Sequence, residues 1–271
     1  MRKLAVLFLV LATLNLSGQS FVDRDFELRG NVKSSIQTDY TVVVKNSKVE
    51  KKDLIECSER KYEFDNQKRL LKEAECIFDF SSSYVYFYDS NGLLIKRENH
   101  GILATKYEYD DKGNITADLM YNDEEMFGSW HYKYDENNNR IERLGLLDGD
   151  FVERWITHYD EKGRKIKEYM VDEEPDTIPT YLIITFEYNS QNRLKSKTST
   201  DPETKIYAID TYKYNEQGDI IEHYSKNNFQ QGTEEVTTFE YLYDTKGNWI
   251  TRIEFYNNKA KKITKRKVEY W

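Results

Sequence analysis

The sequence predicts an all-β fold: an antiparallel meander of about eight β-hairpin repeats laid side by side in a single-layer, open sheet, flat or gently coiled. First, one phrase recurs eight times: an aromatic residue, Asp or Asn, two polar residues, Gly or Asn, and soon after a large apolar residue. It is clearest at 107–115 (YEYDDKGNI), 212–220 (YKYNEQGDI) and 241–249 (YLYDTKGNW). Second, the marker aromatics Phe64, Tyr88, Tyr109, Tyr134, Tyr159, Tyr188, Tyr214 and Tyr243 stand 21 to 29 residues apart. That interval is too short for a βαβ unit and suits a hairpin plus a return turn. Third, 22 Tyr and 13 Phe against 3 Pro favour strands over helices or disorder.

In chain order, Arg2 and Lys3 precede an apolar run over residues 4–14, and Ser17, Gly18 and Ser20 offer a cleavage site. Residues 1–20 therefore read as a signal peptide, with the mature chain starting near Gln19 or Phe21. The run is shorter than the roughly 20 residues needed to span a bilayer, and no later stretch is apolar enough to be a membrane helix. No cysteine stands at the cleavage point to take a lipid anchor. Loss of Arg2 and Lys3 takes the net charge from −8 to about −10, which argues against nucleic acid as a partner. Residues 21–56, including the run 40–44 (YTVVV), are expected to supply capping strands at the first sheet edge. Residues 57–271 would be the hairpin array, and 21–271 one structural domain.

Within each unit, two rings one residue apart lie on one face of a strand, as in Tyr107-Glu108-Tyr109. In 110–113 (DDKG) the first residue is suited to bond the backbone two positions on, and the fourth to take a positive φ. The fourth slot holds Gly92, Gly113, Gly163, Gly218 and Gly247, with Asn138 and Asn192 in two copies, residues that tolerate that geometry. Lys68 in the first copy is the exception, and a differently shaped turn is expected there. After Asn138 and Gly163 the first large apolar residue, Ile141 and Ile166, comes one place late, so a bulge or wider turn is expected in those two units. Return turns are read at 121–124, 227–232 and 257–259. A lone hairpin is marginal in water, so the units must brace one another, with ring contacts worth roughly 0.2 to 1 kcal/mol each.

The repeated phrase resembles the YD repeats of Rhs-type bacterial surface and toxin-delivery proteins. It is closer still to a secreted subgroup of such repeat proteins from Bacteroidetes. The closer likeness rests on 28–34 (LRGNVKS), 247–252 (GNWITR) and 265–270 (KRKVEY), and with the repeats it covers about residues 26–271. It implies an exported sheet of hairpins with a binding or scaffolding role and brings no catalytic residue with it. The eight units are too few for the large toxin-enclosing shell of Rhs proteins.

Cys57 and Cys76 are the two cysteines. If the first hairpin turns between Asn66 and Gln67, opposed residues have numbers totalling about 133, as these two do. A cross-strand disulfide in an exported protein is one reading; two small buried free thiols are the other. His100, His131, His158 and His223 lack metal-ligand spacing, and no nucleophile-elbow stretch is present, so no metal, cofactor or catalytic residue is expected. Residues 135–139 (DENNN) resemble a calcium loop only superficially, since Arg140 and Leu146 occupy the glycine and closing-glutamate places. The acidic run 172–176 reads as a solvated loop. The C-terminal Lys259, Lys261, Lys262, Lys265, Arg266 and Lys267 suit protection of a last exposed edge; an anionic-surface patch is the alternative.

Trp130, Trp155, Trp249, Tyr132 and Tyr134 are the candidate binding surface, because aromatic rings on an open face can contact a protein or stack on a sugar; the alternative is that rings in a single-layer sheet simply brace the strands. The expected function is non-catalytic binding or scaffolding in the periplasm, at the cell surface or outside the cell. An envelope or extracellular protein is the first partner class and a glycan the second. A hydrolase using Glu108, Glu187 and Glu240 is the rival, weakened because a sheet without large insertions offers little cleft for paired carboxylates.

Overall fold

A computed structural model describes residues 28–77, 80–171, 182–229 and 232–271. The export segment, residues 21–27 and the acidic run around Pro175 lie outside the described residues. β1 (Val32–Lys45) and β2 (Lys48–Leu54) form an N-terminal hairpin. The first four repeat hairpins are β3 (Arg60–Phe64) with β4 (Leu70–Ile77), β5 (Phe80–Tyr88) with β6 (Leu94–Asn99), β7 (Ile102–Tyr109) with β8 (Ile115–Asn122), and β9 (Glu125–Tyr134) with β10 (Arg140–Leu147). The second four are β11 (Asp150–Tyr159) with β12 (Lys165–Val171), β13 (Ile183–Tyr188) with β14 (Leu194–Thr200), β15 (Tyr207–Tyr214) with β16 (Ile220–Asn227), and β17 (Thr233–Tyr243) with β18 (Trp249–Tyr256). β19 (Lys259–Tyr270) completes the set.

The expected open sheet is corrected: the sheet closes on itself. β1 pairs with β19 from Val32↔Tyr270 to Tyr40↔Ile263, and on its other edge with β3 from Ser34↔Glu63 to Gln37↔Arg60. β1 and β3 to β19 thus make an 18-stranded antiparallel barrel, while β2 is a spur on the far half of β1 from Tyr40↔Leu54 to Lys45↔Lys48. Open twisted sheets rarely exceed about ten strands, and two unpaired edges would leave rows of unsatisfied N–H and C=O groups. One 14-residue strand is long enough to serve both edges. β1 therefore covers the first edge, at β3, and the last, at β19, together. β19 is likewise no edge, and its cations have other work: Lys262 reaches Asp39 and Glu254, Lys265 reaches Thr251, and Lys267 reaches Glu269.

Alternation of side chains survives the full circuit. One face runs through Tyr62, Glu73, Tyr84, Tyr86, Arg97, Thr105, then Tyr107, Asp118, Trp130, and so on to Arg252, Thr264, Asp39 and, through Gln37 and Ser35 on β1, back to Tyr62. This is the more buried face, with Glu73 and Tyr86 only 2% and 3% exposed, and it lines the interior. The opposite face carries Lys61, Glu63, Lys106, Glu108, Lys133, Glu187, Lys213 and Glu240, all exposed, with ion pairs such as Lys72–Glu63 and Lys213–Glu222.

The eight hairpins share one register. Each marker aromatic pairs with the residue six places on, from Phe64↔Leu70 to Tyr243↔Trp249, and a bulge stands beside it in every unit. The expectation of a bulge confined to two units is therefore corrected. Arg140 and Lys165 simply occupy the slot that Leu, Ile or Trp fills elsewhere, and Ile141 and Ile166 follow them.

Candidate functional site

The eight phrase turns lie at one rim of the barrel and satisfy themselves. In the third unit the Asp110 N–H donates to the Asn114 carbonyl at 2.9 Å, and the Gly113 N–H donates to the Asp110 carbonyl at 3.0 Å. The Asp110 Oδ1 accepts from the N–H groups of Lys112 and Asn114 at 2.9 and 2.8 Å. The Asn114 side-chain amide, followed by these backbone donors, holds the Asp110 carboxyl below the usual carboxylate range; Asp135 with Asn139 and Asp160 with Arg164 behave the same way. The first turn does not differ in shape: Lys68 takes φ +66° and its N–H donates to the Asp65 carbonyl at 3.0 Å. At 135–139 both Asp135 oxygens accept bonds from within the turn, which turn chemistry explains without a cation.

Adjacent hairpins are stitched by tyrosine hydroxyls. The OH groups of Tyr88, Tyr109, Tyr134, Tyr159, Tyr188 and Tyr214 donate to the carbonyls of Leu70, Leu94, Ile115, Arg140, Lys165 and Leu194, each at the start of the preceding hairpin's return strand, at 2.7 to 2.9 Å. In the last unit Tyr241 bonds Ile220 and Tyr243 bonds Asp219. Phe64 has no earlier repeat hairpin to reach and no hydroxyl to reach with.

The ring of turns ends at a seam. Asn248, 1% exposed, accepts from the Arg29 N–H at 2.6 Å, and its side-chain amide donates to the Arg29 carbonyl at 2.8 Å and the Tyr270 hydroxyl at 2.7 Å. The Arg29 guanidinium donates to the carbonyls of Gly247 and Gln217, and the Tyr270 hydroxyl to Asp244. A side chain at Gly247, where φ is +83°, would meet Arg29 Nη1 at 2.8 Å.

The aromatic candidates lie on the interior face among arginines. Trp155, Trp249 and Tyr132 are buried at 6%, 8% and 6% exposure, whereas Trp130 and Tyr134 are half-buried. Arg143 lies between Trp130 and Trp155, 4.9 and 5.4 Å from the two ring centroids, and Arg140 lies 5.0 Å from that of Tyr132. Trp130 covers Gly145 so closely that a Cβ there would meet its ring at 2.6 Å. Asp118, directly across the ladder from Trp130, accepts the Tyr132 hydroxyl at 2.9 Å, and burial raises its carboxyl pKa.

The opposite rim is unlike the first. Tyr84, Arg97, Asn99, Thr105, Met120, Tyr121 and neighbouring residues line an open groove of about 500 Å³ at the ends of β6 to β9. Ile102 and Phe127 reach the groove and are exposed; Met126, Leu147 and Val152 extend the apolar stretch along β9 to β11. The Asp148 N–H donates to the Phe127 carbonyl at 2.7 Å and ties two of these return turns together. No signal in the repeat phrase marked this rim, because its apolar residues fall in the variable segments between copies.

Cys57 and Cys76 form a disulfide, with Cα atoms 4.6 Å apart. The geometry differs from the directly opposed pair that the numbering suggests. In the first hairpin opposed numbers total 135, as in Arg60↔Glu75, so the Cys76 N–H bonds Glu59 while Cys57 sits in the preceding turn at φ +51°. Among the described residues no group of three or more His, Cys, Asp and Glu gathers as a metal site, and no helix is long and apolar enough to cross a membrane. His223 bonds Asp210 at 2.8 Å and stacks on Tyr212, while Glu108, Glu187 and Glu240 lie apart on β7, β13 and β17.

No family model and no curated protein matches the sequence. Among solved structures, the chain is similar to a porin-like protein from Bacteroides uniformis at 11% identity and a TM-score of 0.44, covering 89% of this chain and 99% of that one. A porin-like protein from Bacteroides vulgatus matches over the same shares at 11% identity and a TM-score of 0.36. The Photorhabdus luminescens Tc holotoxin pore matches at 14% identity and a TM-score of 0.40, covering 83% of this chain and 14% of the toxin chain.

Proposed function

We propose that this chain is an exported, non-catalytic binding barrel that stands in water and engages a protein partner through its groove-bearing rim. The carrying observation is the asymmetry of the two rims. One is a ring of self-satisfied polar turns, with Ile95, Ile166, Ile221 and Leu242 exposed singly on the strands beside them; the other has a groove lined by exposed Ile102 and Phe127, with exposed Met126, Leu147 and Val152 farther along β9 to β11. Contiguous apolar surface of this kind marks interaction sites. The reading of the eight units as YD-type repeats belongs to the same proposal.

Two charged faces support an aqueous setting. A membrane-spanning barrel needs an outward apolar band about 25 Å tall. Here one face carries Lys106, Glu108, Lys133 and Glu187, and the other carries Arg97, Asp118, Arg143 and Arg252. Barrels of 16 to 18 strands are wide enough to leave an aqueous interior.

Affinity capture from envelope extract, run beside a glycan array, tests the rim. The intact barrel is expected to retain a protein that the Phe127→Asp, Leu147→Asp double variant loses and that Lys112→Glu, on the turn rim, keeps. Glycan binding without protein capture would overturn the partner class. Co-flotation with anionic vesicles after detergent removal would overturn the aqueous setting.

A further inference from the structure

Among the described charged groups of the barrel interior, one pair of arginines shares a single indole and forms no ion pair. Arg60 on β3 meets Asp39 at 3.1 Å, and Arg143 on β10 has Glu153 at 3.8 Å. Arg97 donates through Nε to Thr105 at 3.0 Å. Arg252 on β18 and Arg266 on β19 differ. Both lie against the Trp249 ring, with their guanidinium carbons 5.3 and 3.4 Å from its centroid. Both Nε atoms are buried without a partner, and among the described residues neither guanidinium has a carboxylate within 4 Å.

The nearby acids are already committed. Asp39 is taken by Arg60, Lys262 and Thr264; Asp219, which accepts the Tyr243 hydroxyl at 2.7 Å, acts on Arg266 through its charge without forming an ion pair with it. Arg252 contacts the Tyr241 hydroxyl. Gln37 separates Arg266 from Arg60 along the same row of the interior. Burial and then the charge of Arg252 push Arg266 down to about 10, still protonated at neutral pH. Two like charges held on one indole are costly unless a counter-charge joins them, and paired guanidinium forks match an oxyanion better than any neutral ligand.

We infer that Arg252 and Arg266, set on Trp249 inside the barrel, form a binding site for a dianionic oxyanion, a sulfate or phosphate group either free or carried on a larger molecule. The site lies on strands away from the apolar rim, so the two proposals stand or fall separately. Trp249 serves as a built-in reporter, because an anion drawing the guanidiniums off its face changes its environment.

The test is titration of the mature, disulfide-intact chain with sodium sulfate or inorganic phosphate up to about 10 mM, against sodium chloride at equal ionic strength, below the range where general salting effects matter. Saturable binding with a change in tryptophan emission is expected for the divalent ions and not for chloride. Arg266→Gln is expected to weaken it at least tenfold, and Arg266→Lys less. A sulfated monosaccharide is titrated in parallel: tighter binding than free sulfate identifies a carried group, and equal binding a free ion. No difference between sulfate, phosphate and chloride in the unaltered chain overturns the site. So does a folded Arg252→Gln, Arg266→Gln double variant that binds as before.

Discussion

At the scale of single residues, each recurring slot of the repeat does a separable job. The marker is tyrosine in seven of the eight units; in six its hydroxyl reaches a carbonyl of the preceding hairpin and in the last it reaches the Asp219 carboxylate, a role Phe64 does not need. Tyr134→Phe should cost about 1 kcal/mol, the usual net worth of one such bond, read as a lower urea midpoint with unchanged slope. The turn aspartates make a second prediction. The Asp160 carboxyl is lowered in the folded chain first by the Arg164 side chain and then by turn N–H groups. Its contribution is therefore complete above the unfolded value near 4 and is lost as pH falls through the lower folded value. Asp160→Asn, which copies Asn189 and Asn215 of the sister turns, should flatten the fall in urea midpoint between about pH 4 and pH 2. An unchanged slope would show that Asp160 does not titrate differently in the two states.

At the scale of elements, the hairpin is readable because its determinants are local. Asp, a residue tolerant of positive φ, and the aromatic alternation all sit within ten residues, so the shape follows from near-neighbour bonds. Two departures from the sequence pattern are also local in origin. Lys68 lacks the tolerance of Gly or Asn, yet the Asp65 bonds and closing ladder hold it at φ +66° in the common turn shape. The pairing of the first hairpin differs by two from the expected count: the turn centres on Gln67, which adds one, and a bulge beside the marker, which leaves no trace in spacing, adds the other. Cys57 and Cys76 consequently join a turn to a strand, with a sequence separation of 19. Reduction should lower stability by about 3 kcal/mol through loop entropy, measured as the shift in urea midpoint with and without reductant. A Cys57→Ser, Cys76→Ser variant should match the reduced chain.

At the scale of the whole molecule, closure is the decision the repeat could not announce. The three stretches 28–34, 247–252 and 265–270, which stand apart in sequence, meet at the seam around Asn248. Asn248→Leu leaves the Arg29 N–H, the Arg29 carbonyl and the Tyr270 hydroxyl without their bonds, so a loss of about 3 kcal/mol is expected. An opened seam also frees sheet edges, and concentration-dependent association in light scattering should accompany the loss. Association without destabilisation would place the seam elsewhere.

The sequence by itself determined the eight hairpins, their turn rim and the paired aromatics, because period, turn residues and side-chain alternation are properties of adjacent residues. Only the tertiary structure decided that the array is a barrel, that β19 is no edge, that Trp130, Trp155 and Trp249 lie among interior arginines, and that Ile102 and Phe127 meet at one groove on the rim opposite the turns. Those outcomes depend on β1 bonding residues more than 200 positions away while also bonding β3. Backbone pairing across that distance is driven by the need to satisfy two open edges at once, a condition that exists only after the rest of the sheet has formed.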